Sequence, residues 1–163
     1  MPLFNMAELR AAVPPGQRLI GLDPGAKVIG VALSDTGLML ASPYGNLRRG
    51  KLSAAAADLR ALARKEGAAG LVVGWPLSMD GTIGPAAQAV RDWARSLSEA
   101  MTLPAALWDE RLSSSAVNRL LISEMDLTRR KRAAAVDSMA AAYILQAALD
   151  ASASPSPSGR GPG

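Results

Sequence analysis

The stretch RLIGLDPGAKVIGVALS, residues 18–34, decides the start of the fold. Its apolar residues predict two strands, at 18–23 and at 28–34, joined by the turn Pro24-Gly25-Ala26-Lys27. Pro and Gly favour a turn because Pro presets its φ angle and Gly accepts backbone angles that other residues avoid. The stretch therefore predicts a β-hairpin with Asp23 at the end of its first strand.

The elements that follow are typical of a mixed sheet. A second turn, Asp35-Thr36-Gly37, predicts a third antiparallel strand at residues 38–41. Further on we expect a helix at 53–66 with Ser53 as N-cap and Gly67 as C′ residue, a strand at 70–74, a helix from Pro85 to about residue 100, a strand at 104–109, and helices at 113–124 and 133–150. Three meander strands followed by right-handed crossovers predict an α/β fold, a mixed five-stranded sheet with helices on both faces.

The two ends of the chain differ in composition from its middle. Residues 1–17 are expected to be an N-terminal extension, with a helical turn at residues 6–12 that Pro14-Pro15 stops. Residues 18–150 are expected to form one folded domain. Residues 151–163 are small, polar and rich in Pro and Gly, so we expect a disordered tail.

Composition excludes several kinds of active site. The 163 residues include no His and no Cys, which excludes disulfides, thiolate sites and a Ser–His triad. A formal net charge of +4 mildly favours a polyanionic partner. We find neither an apolar run long enough to span a membrane nor a signal-peptide pattern, so we expect a soluble, cytoplasmic protein without a membrane partner.

Three stretches that lie far apart in the chain offer acids suited to metal chemistry. Asp23 and the pair Asp109-Glu110 each follow an apolar run, and Asp137 lies early in a predicted helix. Ligands of α/β folds collect beyond the carboxyl ends of strands. Because oxygen atoms are the only strong metal ligands in this chain, Mg²⁺ or Mn²⁺ is favoured over zinc. Carboxylates and a divalent ion, with Arg and Lys nearby, indicate chemistry on phosphate esters.

Each acid also has a purely structural interpretation. Asp23 could cap a tight turn, and Asp137 could stabilise the first turn of its helix through the helix dipole. Successive residues of a strand face opposite sides, so Asp109 and Glu110 should not both point into one site. The local sequence does not choose between these two acids.

Basic residues accompany the acids. Arg129-Arg130-Lys131-Arg132 precedes the helix of Asp137, where it would hold a phosphate backbone near the acids, although such runs are usually solvated surface. Arg48-Arg49-Gly50-Lys51 is a second basic cluster. The loop at residues 75–84 is not a Walker phosphate loop, because the Gly-Lys-Ser/Thr ending is missing.

Four stretches in this order resemble the YqgF family, a group of proposed pre-16S rRNA nucleases that is also described as Holliday-junction-resolvase-like. Each motif alone is weak, but four in order make the resemblance specific, and it covers about residues 18–150. The matching stretches are residues 21–27 with 29–35, residues 73–82, residues 109–113 and residues 136–141.

The resemblance implies a ribonuclease-H-like fold, metal-dependent nuclease chemistry and a role in maturing small-subunit rRNA. By the match, Asp23, Glu110 and Asp137 take the places of the family's acidic triad, which would hold Mg²⁺ or Mn²⁺. The candidate nucleic-acid-binding residues are Lys27, Arg111, Arg129, Arg130, Lys131 and Arg132. The expected partner is an rRNA precursor, with branched DNA and the ribosome as further candidates, and the protein is expected to be a monomer or homodimer.

Two alternatives stay open. A Holliday-junction resolvase would use the same fold and acids, but it should form a two-fold dimer that makes paired cuts in branched DNA. A non-catalytic RNA- or ribosome-binding module is compatible with the modest charge, although one Phe and two Tyr make poor stacking platforms for bases. Metal-dependent cleavage by the purified protein distinguishes either enzyme from the module.

Overall fold

The described part of the chain forms one sheet with helices on both faces. The structure, a computed structural model, describes residues 2–112 and 129–153, with the backbone alone for residues 129–136. The strands within these ranges are β1 Arg18–Pro24, β2 Val28–Ser34, β3 Ala41–Arg48, β4 Ala68–Trp75 and β5 Ala105–Asp109. The helices are α1 Met6–Ala12, α2 Leu52–Glu66, α3 Pro85–Met101 and α4 Arg129–Ser152, and a 3-10 turn covers Glu110–Leu112.

The strand order is β3-β2-β1-β4-β5, and it confirms the mixed sheet predicted from the sequence. The pairs β1–β2 and β2–β3 are antiparallel, as a meander requires, whereas β1–β4 and β4–β5 are parallel. The bounds of β2 agree with the prediction, and α3 begins at Pro85 as expected. The helix predicted at residues 113–124 lies outside the described residues.

Two apolar cores separate the sheet from its helices. The alternation of β1 sends Ile20 and Leu22 towards α2 and α3, and Leu19 towards α1 and α4. Leu9 of α1 is fully buried in the second core, so the described N-terminal residues pack against the domain. No described helix combines the length and apolar character that crossing a membrane requires.

The prediction of β3 at residues 38–41 is wrong, because the strand begins at Ala41 and ends at Arg48. The apolar residues before it belong to the connection from β2. There the Asp35 carboxylate accepts hydrogen bonds from the backbone N–H groups of Met39 and Leu40, at 2.7 and 3.1 Å, which lowers the pKa of Asp35. As a largely exposed edge strand, β3 lacks the apolar alternation that would have revealed it.

Two helix starts also differ from the prediction. The N-cap of α2 is Lys51, which makes no side-chain capping bond, and Ser53 is already inside the helix. The C-terminal end of α2 agrees with the prediction, because Gly67 takes the left-handed conformation with φ of 69°. The helix α4 begins at Arg129 rather than at residue 133, so the basic run lies within its first turns, and it ends two residues beyond the predicted end.

Three glycines allow α4 to lie directly on the sheet. A Cβ atom on Gly21 would lie 2.7 Å from the Cβ of Leu145, and one on Gly74 would lie 2.7 Å from the Cδ1 of Ile144. A Cβ atom on Gly30 would overlap the backbone carbonyl oxygen of Asp137. The helix therefore runs antiparallel to β1, with its N-terminal part over the carboxyl end of that strand.

We expect Gly30→Ala to destabilise the protein strongly. The added methyl group meets a backbone oxygen, which cannot rotate away as a flexible side chain would. Overpacking in a well-packed region costs roughly 1–3 kcal/mol, and we expect about 3 kcal/mol here. Urea denaturation followed by circular dichroism measures the change in the free energy of unfolding.

Gly45→Ala is the matched control, because a Cβ atom at Gly45 in β3 would have no heavy atom within 4 Å. Its effect on the free energy of unfolding should stay within about 1 kcal/mol, and a gain is the expected sign. Equal stability of the two variants would contradict the close approach of α4 at Gly30.

Candidate active site at the carboxyl edge of the sheet

Asp23 lies at the carboxyl end of β1, on the sheet face that α4 covers. It pairs with Gly30 of β2, and alternation puts its side chain on the same face as Gly21. Pro24 ends the strand, and the backbone N–H of Gly25 then donates to the carbonyl of Val28 at 2.9 Å, closing the turn. Asp23 is half-buried at this edge.

The backbone of Asp137 lies at this edge, on the helix that covers it. Its backbone carbonyl oxygen lies against Gly30, which is the strand partner of Asp23. The residue is half-buried, and Ala140 and Ala141 in the next turn are buried. Asp23 and Asp137, far apart in sequence, thus both adjoin Gly30.

Glu110 approaches the same edge from the end of β5. It opens the 3-10 turn, and its Oε2 lies 3.6 Å from the point where a Cβ atom of Gly74 would lie. The carbonyl oxygen of Leu22, the residue before Asp23, lies 3.5 Å from the same point. The Glu110 carboxylate therefore lies over the carboxyl end of β4, next to β1 and on the face of α4.

The neighbouring acid, Asp109, forms an ion pair with Arg111. Its Oδ2 lies 2.6 Å from the Nη2 of Arg111, and the Nε of Arg111 donates to both carboxylate oxygens at 3.0 Å. These hydrogen bonds lower the pKa of Asp109. Of the two adjacent acids, Glu110 is the one whose carboxylate lies on the face of Asp23.

Arg111 connects the end of β5 to the loop after β4. Its Nη1 donates to the carbonyl oxygen of Met79 at 3.0 Å, while the rest of the guanidinium binds Asp109. The hydrogen bonds to Asp109 raise the pKa of Arg111. The sequence marked this residue as a nucleic-acid contact, which stays a prediction; the structure shows it bridging two protein segments.

The three predicted acids share one edge but do not form a preassembled cluster. Among residues 2–112 and 129–153, no three acidic side chains lie close enough together to hold a metal ion. Their chemistry nevertheless fits a hard cation, because Asp23, Glu110 and Asp137 offer only carboxylate oxygens. Their shared edge is a candidate site whose ligand geometry is not set in this structure.

Sequence reasoning missed the part that glycines play at this edge. Gly30 and Gly74 lie in strands, where isolated glycines often mark a close backbone approach. These glycines therefore indicate a close approach in the sequence alone, but they do not identify the helix that makes it. The link from Arg111 to Met79 had no local signal, because these residues are 32 positions apart.

Comparisons with known proteins agree with this arrangement. The sequence profile of the RuvX family, described as Holliday junction resolvase, matches residues 17–151. A relative from Gluconacetobacter diazotrophicus is 66% identical over 153 residues, covering 94% of this chain and 99% of that protein. One from Acidiphilium cryptum is 60% identical over 157 residues, covering 96% and 99%. Both are named as proposed pre-16S rRNA nucleases.

The solved structures support the fold. RuvC of Thermus thermophilus, in complex with a Holliday junction substrate, superposes with a TM-score of 0.50 at 12% identity. The match covers 83% of this chain and 94% of that one, and it confirms the ribonuclease-H-like architecture. Since the family profile spans nearly the whole described domain and the relatives match from end to end, the chain belongs to the RuvX family of nucleases.

Proposed function

We propose that this protein is a divalent-metal-dependent nuclease that matures the 5′ end of pre-16S rRNA in the cytoplasm. The observation that supports the proposal is that Asp23 and the Glu110 carboxylate lie at one edge of the sheet, where the backbone of Asp137 lies against Gly30. Relatives more than half identical to this chain over nearly their whole length are named as proposed pre-16S rRNA nucleases.

In this proposal Asp23, Glu110 and Asp137 would hold Mg²⁺ or Mn²⁺. When bound, the ion supplies the positive charge that activates water and stabilises the leaving oxygen of a phosphodiester. The chain would contribute the orientation of these acids: the backbone of Asp137 lies against Gly30, and the neighbouring acid Asp109 is bound by Arg111. With no histidine in the chain, no imidazole general base takes part.

Basic residues on two elements would hold the phosphate backbone near the acids. Lys27 is exposed in the turn that follows Asp23. The backbone of Arg129–Arg132 lies five to eight residues before Asp137 on the same helix. At about 1.5 Å per residue, the run extends roughly 7–12 Å beyond the acid, past the same sheet edge.

A second candidate function is resolution of branched DNA. It is favoured by the description of the family and by the fold of RuvC, which was solved with a junction substrate. A resolvase needs two sites in a symmetric dimer, whereas an RNA-trimming enzyme can act as a monomer. Binding to the ribosome without cleavage is the remaining non-catalytic alternative.

The test is a cleavage assay with an rRNA precursor, an unrelated single-stranded RNA and a four-way DNA junction, each with Mg²⁺, Mn²⁺ or a chelator. We expect metal-dependent cleavage of the precursor near the mature 5′ end. Paired cuts in the junction by a stable dimer would favour the resolvase. If purified, folded protein cleaves none of them, the nuclease proposal is refuted and the non-catalytic module remains.

We expect Asp23→Asn to lower cleavage by more than about 100-fold while the fold stays intact. Asn keeps the size of Asp but loses the charge that a divalent ion requires. Changing a residue that only hydrogen-bonds to a metal ligand already lowers metal affinity or activity by about 10–100-fold. Mn²⁺ should raise the melting temperature of the wild type more than that of the variant. Full activity of a folded Asp23→Asn protein would exclude this metal site.

We expect Glu110→Gln to abolish cleavage and Asp109→Asn to reduce it only partly. The Glu110 carboxylate lies at Gly74 on the site face, whereas that of Asp109 is occupied by Arg111. Each variant serves as the control for the other, because both replace one acid by its amide at adjacent positions. An inactive Asp109→Asn together with an active Glu110→Gln would reverse the assignment.

Replacing Arg129, Arg130, Lys131 and Arg132 together with Gln should weaken nucleic-acid binding and flatten its salt dependence. Each lost phosphate contact lowers the slope of log affinity against log salt by roughly 0.7 for single strands or 0.9 for duplex. Cleavage at saturating substrate should change less, because these groups position the substrate and do not react. An unchanged slope would identify the run as solvated surface.

A further inference from the structure

The end of β3 brings a basic residue to the face that carries the acids. Val28 pairs with Arg48, and Asp23 pairs with Gly30, in the antiparallel part of the sheet. Paired residues share a face, and so do residues two apart in a strand, so Arg48 lies on the same face as Asp23. With a strand spacing of about 4.8 Å and a rise of about 3.4 Å per residue, the two Cα atoms are roughly 12 Å apart.

The next residue, Arg49, has a different set of contacts. Its Nη1 donates to the carbonyl of Gly25 at 2.9 Å, and its guanidinium carbon lies 5.1 Å from the ring centroid of Trp93 on α3. Its backbone N–H donates to the carbonyl of Lys27 at 2.9 Å. Arg49 therefore ties the turn after Asp23 to the end of β3 and to α3.

Arg48 and Lys27 differ from Arg49 in their side-chain contacts. Both side chains are exposed, and neither has a hydrogen bond or ion pair to another residue in the described ranges. They line a cavity of about 470 Å³ together with Ala26, Val28 and Arg49. No acidic residue is among its lining residues, so the cavity presents positive charge to solvent.

We propose that Arg48 and Lys27 form a phosphate-binding subsite for the nucleic-acid backbone, and that Arg49 positions this subsite without contacting the substrate. The ligand class follows from the chemistry, because a charged guanidinium and an ammonium beside an open cavity suit phosphate oxygens. The distance to Asp23 puts the bound phosphate a few nucleotides from the bond that is cut. This inference rests on the proposed function, which supplies nucleic acid as the substrate.

The experiment compares Arg48→Gln with Arg49→Gln in the full chain. Binding of a fluorescent single-stranded RNA is measured by anisotropy over a series of salt concentrations, with a chelator so that no cleavage occurs. Arg48→Gln should lower the log–log salt slope by about 0.7, and adding Lys27→Gln should lower it by about as much again. The melting temperature of Arg48→Gln should equal that of the wild type, whereas Arg49→Gln should melt lower and change the slope less.

Arg60→Gln combined with Arg64→Gln is the matched control for charge. These arginines line a separate cavity with Gly67 and Ala68, at the opposite edge of the sheet, so the double variant removes the same charge away from the subsite. The proposal is overturned if the salt slope of the variant with Arg48→Gln and Lys27→Gln equals that of this control. A larger loss of slope for Arg49→Gln than for Arg48→Gln would overturn the division of roles.

The same binding series separates this inference from the proposed nuclease function. Binding is measured without metal, so it does not require an active site. A wild-type protein that binds RNA through Arg48 but cleaves no substrate would refute the nuclease and support the subsite. A protein that cleaves RNA with an unchanged slope after the Arg48 and Lys27 substitutions would keep the nuclease and refute the subsite.

Discussion

The contact between α4 and the glycines of the sheet is the constraint on which the candidate site depends. At Gly21, Gly30 and Gly74, atoms of α4 lie within 2.7 Å of the position that a Cβ atom would take, so residues with side chains there would hold the helix further from the sheet. At Gly30 the contact is to the Asp137 backbone itself. The position of that acid relative to Asp23 is thus fixed by main-chain contact rather than by the packing of flexible side chains.

Strand alternation explains why the carboxylates of Asp109 and Glu110 lie on opposite faces of the sheet. Trp108 packs with the core under α4, so Asp109 turns to the other face, where Arg111 binds it. Arg111 binds this carboxylate through both Nε and Nη2, which fixes the geometry of the pair. The effect of the pair is orientation, because it joins the start of the 3-10 turn that carries Glu110 to the loop at Met79.

The sequence predicted those parts of the structure that local patterns determine. The hairpin around Asp23, the order of the described strands and helices, and the left-handed Gly67 all follow from turn residues and apolar periodicity. The position of β3 was predicted wrongly because an exposed edge strand lacks an apolar pattern. Met39 and Leu40, which the prediction assigned to this strand, lie exposed in the turn before it. The meeting of Gly30 with Asp137 could not be predicted, since it depends on where a helix more than 100 residues later comes to lie.

The electrostatics of the site follow from the same elements that carry its acids. A net charge of +4 spread over the whole chain would attract a polyanion only weakly, so local placement decides the effect. Asp23 is followed by Lys27 in the β1–β2 turn, and Asp137 is preceded by the basic run on α4, so each acid has cations on its own element. Arg111 follows Glu110 directly in the 3-10 turn, but its guanidinium binds Asp109 and the carbonyl of Met79. In the proposed complex the cations on β1–β2, β3 and α4 would contact the phosphate backbone, and a shift of these elements would move the bound strand together with the acids.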